Sequence, residues 1–353
     1  MSVADLARPE IRRLKPYEAA IQVTDTVRLN ANEAPWTSGA DPFRRPLNRY
    51  PEIRPAGLRE ALAARFGAAP AQLLVTRGTS EAIDLLVRAF CRAGIDNIVT
   101  TTPAFSMYRH YAEVQGAVVR AVPTDPDLDF VPALDALLDA CDDNSRLVFL
   151  CSPNNPTGTS LPRSLMADFL AARGERSVVV IDEAYIEFSG EASMVDLLDK
   201  YPNLVVLRTL SKALAFAGAR CGAVMGPREV IDMLNAIQAP YAMSTPVVEC
   251  VEDALSDHWL AEAARKVDEI VAERRRVVVE LETMACVNRI WPSSANFVLV
   301  ELDDVAVVMD ASREAGILLR YFGGDLERCV RISIGTQDEN DALLATLRGL
   351  EGR

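Results

Sequence analysis

The chain has 353 residues, of which 50% are hydrophobic and 25% are charged, as is usual for soluble globular proteins. Its net charge of −13 argues against nucleic acid as a partner, because phosphate backbones bind electropositive surfaces. No apolar run is long enough to cross a membrane, and the N-terminus has no apolar segment of a secretory signal. We therefore expect a cytoplasmic location. The two histidines and the absence of C-x-x-C spacing among seven cysteines predict no metal site.

Residues from about 58 to 251 alternate between short β-branched apolar runs and amphipathic helical patterns. This alternation predicts an α/β fold in which helices cover both faces of a mostly parallel, seven-stranded sheet. The predicted strands are 73–76, 97–101, 117–122, 146–151, 177–182, 204–209 and 222–225. Ligands bind beyond the carboxyl ends of strands in such sheets, so the polar residues that follow these strands are candidates for a site.

The sequence divides into four predicted parts. Residues 46–255 form the large domain, and a long helical pattern begins at 256 and serves as a connecting helix over 256–274. Residues 275–353 form a smaller α+β domain with strands at 297–301 and 329–334. The segment 1–45 has no convincing strand, and we expect it to pack with the smaller domain.

The first strand is followed by RGTSEAIDLL, in which Gly78, Thr79 and Ser80 begin a helix. Free backbone N–H groups and hydroxyls at a helix N-terminus can bind an anion, and Ser211 and Arg220 could add donors to the same anion. A helix cap without a ligand is the simpler alternative.

An aromatic residue follows the second predicted strand, and an amide follows the fourth. Phe105, in TTPAFSMY, could stack on a flat ring, although alone it is more typical of a core residue. Asn155 lies in CSPNNPTG, a tight turn fixed by prolines and a glycine, and provides an amide donor at the strand's end.

Asp182 ends the buried-strand pattern SVVVID. A carboxylate there is costly unless a cation or several donors meet it, and a protonated pyridine nitrogen would be such a cation. Capping of a following helix is the alternative. Tyr185, three residues later, could reach a phenolic oxygen on the same ring.

Lys212 follows the strand 204–209 and is surrounded in sequence by small and apolar residues, TLSKALAFAGARCG. Partial desolvation lowers the pKa of an amine and favours the neutral form that is needed to form a Schiff base. A lysine that simply extends to water is the alternative, and only the combination of Lys212 with the preceding motifs outweighs it.

These segments resemble the pyridoxal-5′-phosphate (PLP)-dependent aminotransferases of the aspartate-aminotransferase fold type, and within them the enzymes that act on histidinol phosphate. The resemblance covers nearly the whole chain. It is carried by LNANE (29–33), NRYPE (48–52), CSPNNPTG (151–158), DEAYIEF (182–188), RTLSKA, AGARCG, APYAMSTP (239–246) and RIS from Arg331.

The resemblance implies that Lys212 holds PLP as a Schiff base, that Asp182 pairs with its ring nitrogen, and that Tyr185 assists as a third catalytic residue. The implied cofactor-binding residues are Gly78, Thr79, Ser80, Phe105, Asn155, Asp182, Tyr185, Thr209, Ser211, Lys212 and Arg220, with Tyr50 reaching the phosphate in the neighbouring subunit of a homodimer. The implied substrate-binding residues are Tyr17, Asn155, Tyr241, Arg320 and Arg331, with Tyr17 closing over the substrate. The family often has Tyr at the position of Phe105 and an acidic residue at that of Ser80.

The implied reaction is a reversible, ping-pong transamination of histidine biosynthesis. L-histidinol phosphate and 2-oxoglutarate would give imidazole-acetol phosphate and glutamate. An aromatic-amino-acid aminotransferase and a decarboxylase acting on phosphothreonine are the nearest alternatives, since relatives share most of these motifs. A PLP-binding sensor is a non-enzymatic alternative, although the chain leaves no room for an added DNA-binding domain. A nicotinamide dehydrogenase is disfavoured because no G-x-G-x-x-G follows the first strand.

Overall fold

Seven strands form the main sheet in the computed structural model, which describes residues 2–17 and 27–350. Their order is β1-β7-β6-β5-β4-β2-β3, and β7 alone runs antiparallel to its neighbours. The strands are β1 (Leu73–Thr76), β2 (Asn97–Thr102), β3 (Val118–Pro123), β4 (Ser145–Cys151), β5 (Val178–Asp182), β6 (Leu204–Thr209) and β7 (Gly222–Met225). The predicted seven-stranded, mostly parallel sheet is therefore confirmed, with strand ends within one residue of the predicted positions.

Helices cover both faces of this sheet. They are α1 (Pro9–Arg12), α2 (Ala56–Phe66), α3 (Gly78–Phe90), α4 (Met107–Gln115), α5 (Leu134–Asp139), α6 (Arg163–Arg173), α7 (Arg228–Ile237) and α8 (Thr245–Ala254). Alternate residues of β5 point to opposite faces: Val179 and Ile181 join one core, and Val178 and Val180 join the other. Burial on both faces explains why the strand reads as an unbroken apolar run.

A second, antiparallel sheet of four strands lies in the C-terminal third, in the order β10-β11-β9-β8. It contains β8 (Val287–Ile290), β9 (Phe297–Leu302), β10 (Arg320–Gly323) and β11 (Leu326–Ser333), and it packs with α10 (Val305–Glu314) and α11 (Gln337–Arg348). The strands β9 and β11 were predicted. The sequence did not reveal β8 and β10, because both are four-residue edge strands with exposed or half-buried side chains and no apolar alternation.

The helix α9 (Asp257–Leu281) joins the two sheets as one continuous element of 25 residues. Val267 packs in the core of the main sheet, whereas Val277 and Leu281 pack in the core of the smaller sheet. The helix therefore contributes residues to both hydrophobic cores. The predicted domain boundary after residue 274 stays a prediction. Among residues 2–17 and 27–350, no helix has the length and apolar character needed to span a membrane.

The prediction that the N-terminal segment packs with the smaller domain is wrong for the described residues. Val3, Ala7 and Ile11 are buried in the core between the main sheet and α3, and the Arg8 N–H donates to the Ala89 carbonyl at 2.9 Å. Further along, the Arg45 N–H donates to Glu249 of α8 at 2.6 Å. These few apolar residues give no strand pattern, so the sequence could not indicate which core they join. Residues 18–26 lie outside the described residues.

Trp291 connects the smaller sheet to the loop after β3. Its indole N–H donates to the Pro126 carbonyl at 2.9 Å, and its ring packs against Phe130 at 5.2 Å between centroids. Trp291 is only 3% exposed, so nearly all of its side chain is packed within the protein.

We expect Trp291→Phe to lower the free energy of unfolding by about 1 kcal/mol, because it removes the indole donor and part of a buried ring, while the Pro126 carbonyl keeps a hydrogen bond from Arg289 Nη2 at 2.7 Å. Urea denaturation followed by circular dichroism measures this. Trp259→Phe is the matched control, since Trp259 is 54% exposed and its replacement should change little. Equal effects of the two substitutions would contradict a stabilising role for the contacts of Trp291.

Candidate active site

A pocket of about 730 Å³ opens beyond the carboxyl ends of the central strands, between the main sheet and the smaller one. Parallel strands bring their carboxyl ends to one edge, so motifs that are far apart in sequence meet there. Of the residues singled out in the sequence, the pocket is lined by Thr79, Ser80, Phe105, Asn155, Asp182, Tyr185, Thr209, Ser211, Lys212, Arg220, Arg320 and Arg331.

Asp182 lies at the end of β5 at the bottom of this pocket and is only 2% exposed. The Tyr108 hydroxyl donates to its Oδ2 at 2.8 Å, and the Ala184 N–H donates to its Oδ1 at 3.2 Å. Burial nevertheless raises the pKa of Asp182 to about 6, although both hydrogen bonds and the charge of Lys212 act in the opposite direction. The carboxylate is therefore incompletely stabilised by the protein and suits a cationic ligand atom.

Lys212, in the loop after β6, extends into the pocket with its Nζ 5.5 Å from the centroid of the Tyr185 ring. Burial lowers the pKa of Lys212, and the positive charges of Arg331 and Arg220 lower it further, against the opposite effect of Asp182. A lowered pKa increases the share of neutral amine, which is the nucleophilic form. The expectation of a desolvated, reactive lysine is thus consistent with its surroundings.

Asn155 connects two other predicted residues across the pocket. Its Nδ2 donates to the Tyr185 hydroxyl at 3.3 Å, and its Oδ1 accepts a hydrogen bond from Arg331 Nη1. The Nε of Arg331 is buried without a hydrogen-bond partner in the protein. This unused donor leaves capacity for an anionic ligand in the pocket.

The start of α3 lies at one end of the pocket and presents groups that could bind an anion, called the anion cradle below. The helix begins at Gly78 without a side-chain cap, so its first N–H groups are free for a ligand. Arg220 Nη1 donates to the Ser211 hydroxyl at 3.4 Å, and the Thr209 hydroxyl donates to the same oxygen at 3.0 Å. A Cβ at Gly78 would lie 2.9 Å from Arg220 Nη2, so only glycine lets the guanidinium approach this closely.

Arg320 and Arg331 face each other across β10 and β11, as register partners at the side of the pocket formed by the smaller sheet. Phe322 lies against both, with its ring centroid 5.3 Å from the Arg320 guanidinium carbon and 5.4 Å from that of Arg331. The negative face of an aromatic ring attracts cations and so helps to hold two like charges side by side. Sequence reasoning missed Phe322, because β10 itself was not predicted.

Four predicted residues do not line this pocket: Gly78, which lies next to Arg220, and the three tyrosines Tyr17, Tyr50 and Tyr241. Tyr50 and Tyr241 stack on each other at 4.7 Å in a separate surface cleft, and Tyr17 is 60% exposed. The Tyr50 N–H donates to Glu33 at 2.8 Å, and half of its side chain is exposed. Within one chain these tyrosines therefore do not reach Lys212.

Tyr108 was also missed by sequence reasoning. It is fully buried in α4, one turn after Phe105, and stacks on Phe149 at 4.9 Å. The i, i+4 spacing of Tyr108 and Ala112, the two buried residues of α4, could have indicated that Tyr108 faces the sheet. Nothing in the sequence indicated that this hydroxyl meets Asp182, which is 74 residues away.

The chain is similar to aminotransferases along its whole length. The family model for aminotransferases of class I and II matches residues 27–347. A histidinol-phosphate aminotransferase of Aeromonas hydrophila subsp. hydrophila is 44% identical over 359 residues, which cover 99% of both chains. Another, of Xylella fastidiosa, is 41% identical over 99% of this chain and 97% of its own. The chain belongs to the class I and II aminotransferase family.

Solved structures agree with this assignment. A histidinol-phosphate aminotransferase from Sinorhizobium meliloti, in complex with pyridoxal-5′-phosphate, is 28% identical with a TM-score of 0.75, over 86% of this chain and 83% of that one. One from Clostridium acetobutylicum has a TM-score of 0.78 at 24% identity, over 87% and 91% of the two chains, and supports the fold. The predicted fold type is therefore confirmed.

We expect Gly78→Ala to weaken binding of PLP by about tenfold or more, because the added methyl displaces Arg220 from the anion cradle. Absorbance titration of the cofactor-free protein with PLP measures the affinity. Gly67→Ala is the matched control: Gly67 has the same φ of +76° but open space around it. The control should lose stability through backbone strain alone. If Gly78→Ala binds PLP as tightly as the native protein does, the group around Gly78 and Arg220 is not where PLP binds.

Proposed function

We propose that this chain is a PLP-dependent transaminase that transfers the amino group of L-histidinol phosphate to 2-oxoglutarate in histidine biosynthesis. Relatives with that printed name match almost the full length at 41–44% identity. The observation that carries the proposal is one pocket that joins an incompletely stabilised acid, an amine of lowered pKa and two arginines.

The pocket residues fit PLP at each of its polar groups. Asp182 would pair with the ring nitrogen, Asn155 and Tyr185 would bind the phenolic oxygen, and Phe105 would stack on the ring. The cradle of Gly78, Thr79, Ser80, Thr209, Ser211 and Arg220 would bind the phosphate. When bound, the cofactor supplies an electron sink for the negative charge that develops at the substrate's Cα.

Lys212 is the proposed base. Its lowered pKa keeps a larger share of the amine neutral, so that it can attach the cofactor and, once released, remove the proton from the substrate's Cα. The positive charges of Arg331 and Arg220 contribute to this lowering of the pKa of the amine.

Arg320 and Arg331 would bind the acidic group of the substrate. A transaminase of this kind must accept a phosphate monoester in one half-reaction and a carboxylate in the other. The planar guanidinium pairs bidentately with either anion, so one pair of arginines can serve both. Tyr185 and Asn155, which contact each other, tie this anion site to the cofactor site.

We further propose a cytoplasmic homodimer. Tyr50, exposed and stacked on Tyr241, would reach the cofactor phosphate of the neighbouring subunit, and Tyr17 and Tyr241 would complete the substrate pocket from there. Their position outside the pocket of their own chain supports this arrangement. No disulfide joins the cysteines within residues 2–17 and 27–350, as is usual in a reducing compartment.

The decisive experiment is a single half-reaction with L-histidinol phosphate and no oxo acid. We expect the absorbance of the PLP bound through Lys212 to be lost in the native protein as the amino group is transferred. In Lys212→Ala the reaction should fall to background, whereas Lys266→Ala, on the exposed surface of α9, should react normally. A native protein that binds PLP but leaves histidinol phosphate unchanged would refute the proposed substrate.

Comparison of amino donors tests the two enzymatic alternatives. We expect kcat/KM to be higher with histidinol phosphate than with phenylalanine. We expect no decarboxylation of phosphothreonine. The arginine pair offers an anion site that phenylalanine fills only with its own carboxylate. A preference for phenylalanine would assign the chain to the aromatic-amino-acid aminotransferases.

Arg331→Lys should retain PLP but lower kcat/KM of both half-reactions by about ten- to a hundredfold, because lysine cannot form the bidentate pair or keep the bond to Asn155. Arg328→Lys, three residues earlier in β11 with an exposed side chain, is the control and should be nearly unchanged. A defect in only one half-reaction would show that the two acids do not share this site.

A further inference from the structure

Tyr108 occupies the position behind Asp182, on the side away from the open pocket. The residue is fully buried, and its hydroxyl donates to Asp182 Oδ2 at 2.8 Å. Its ring is fixed by stacking on Phe149 and by an edge contact with Phe105, whose centroid lies 5.7 Å away. A side chain that is held on both sides delivers its hydroxyl to one point without further loss of freedom.

The charged and titratable groups around Asp182 come from four elements. Tyr108 contacts it from α4, Cys151 lies near it at the end of β4, and Tyr185 and Lys212 face it from the loops after β5 and β6. Among these groups, Lys212 alone carries a positive charge. In the proposed enzyme its amine becomes tied to the cofactor, so Tyr108 remains the side-chain donor that stabilises the carboxylate from within the protein.

We propose that Tyr108 is a positioning residue: its hydroxyl keeps Asp182 ionised and oriented toward the ring nitrogen of the cofactor. This inference rests on the proposed function for the identity of the ring, but the contact between the two side chains belongs to the protein itself. Asp182 would otherwise be a carboxylate in an apolar strand end, where the neutral acid is favoured.

The direction of the pH effect follows from the bond. Burial already raises the pKa of Asp182 to about 6, and the Tyr108 hydroxyl acts to lower it. Tyr108→Phe removes a donor that favours the ionised form, so the pKa of Asp182 rises further. In the cofactor-free protein, protonated Asp182 contributes stability at low pH, and this contribution is lost as the pH rises through the folded-state pKa of Asp182. The Tyr108→Phe variant should keep this contribution up to a higher pH.

The test compares the native protein, Tyr108→Phe and a protein with 3-fluorotyrosine at position 108. The first readout is the pH dependence of pyridoxamine-5′-phosphate binding, a ligand that needs no covalent bond to Lys212. We expect the midpoint of the acid-side loss of affinity to move up by about one pH unit in Tyr108→Phe. Fluorotyrosine, a stronger donor, should move it down without disturbing the fold.

The second readout uses the cofactor-free protein, so that it does not depend on the proposed function. A carboxylate ¹³C titration by NMR follows Asp182 directly, and its midpoint should shift in the same two directions. Tyr201→Phe, which removes a tyrosine hydroxyl outside the pocket, is the control and should leave both midpoints unchanged.

Unchanged midpoints in both Tyr108 variants would overturn the inference, even if stability fell, because a purely structural side chain does not alter the titration of its neighbour. If the native protein failed to bind the ligand or to transfer the amino group, the proposed function would fail instead. The carboxylate titration would still decide whether Tyr108 controls Asp182.

Discussion

The candidate site depends on the Asp182 carboxylate, which the fold holds in a buried position where its ionised form is disfavoured. Asp182 ends β5 at 2% exposure, and burial raises its pKa to about 6 in spite of two hydrogen bonds. A cationic ring nitrogen from a ligand would remove that cost. Without a ligand, the Asp182 carboxylate lacks a full set of partners, and a cationic ligand atom would provide the missing one. A buried charge of this kind is typical of a functional site and adds little to the stability of the fold.

The doubly covered sheet makes this arrangement possible. Because β5 lies between β4 and β6 with apolar cores on both faces, its end is rigid and shielded from water. The turn after β4 brings Asn155, and the loop after β6 brings Lys212, to the same edge. The three groups thus share a pocket as a direct consequence of three neighbouring parallel strands.

The smaller sheet supplies the specificity side of the pocket. The long helix α9 leads from one core to the other, and β10 and β11 then place Arg320 and Arg331 in the same pocket as the proposed cofactor-binding residues. Phe322 lies against both guanidinium groups, and Arg331 is bonded to Asn155. Hydrogen bonds therefore connect the proposed anion site to the proposed cofactor site, and we expect a substitution in one to affect ligand binding in the other.

The sequence alone was enough to predict the seven central strands and the motifs that follow them, because buried strands leave continuous apolar runs that end in polar residues. Those motifs also made Lys212, Asp182, Asn155 and Tyr185 candidates for the site. The sequence could not indicate where residues 3–11 pack, that β8 and β10 form, or that Phe322 and Tyr108 line or support the pocket. Those features depend on contacts between residues far apart in the chain: the Tyr108 hydroxyl meets a carboxylate 74 positions away, and only the packing of α4 on the sheet brings them together. The local sequence pattern indicates whether a segment forms a helix or a strand, whereas its long-range contacts depend on tertiary packing.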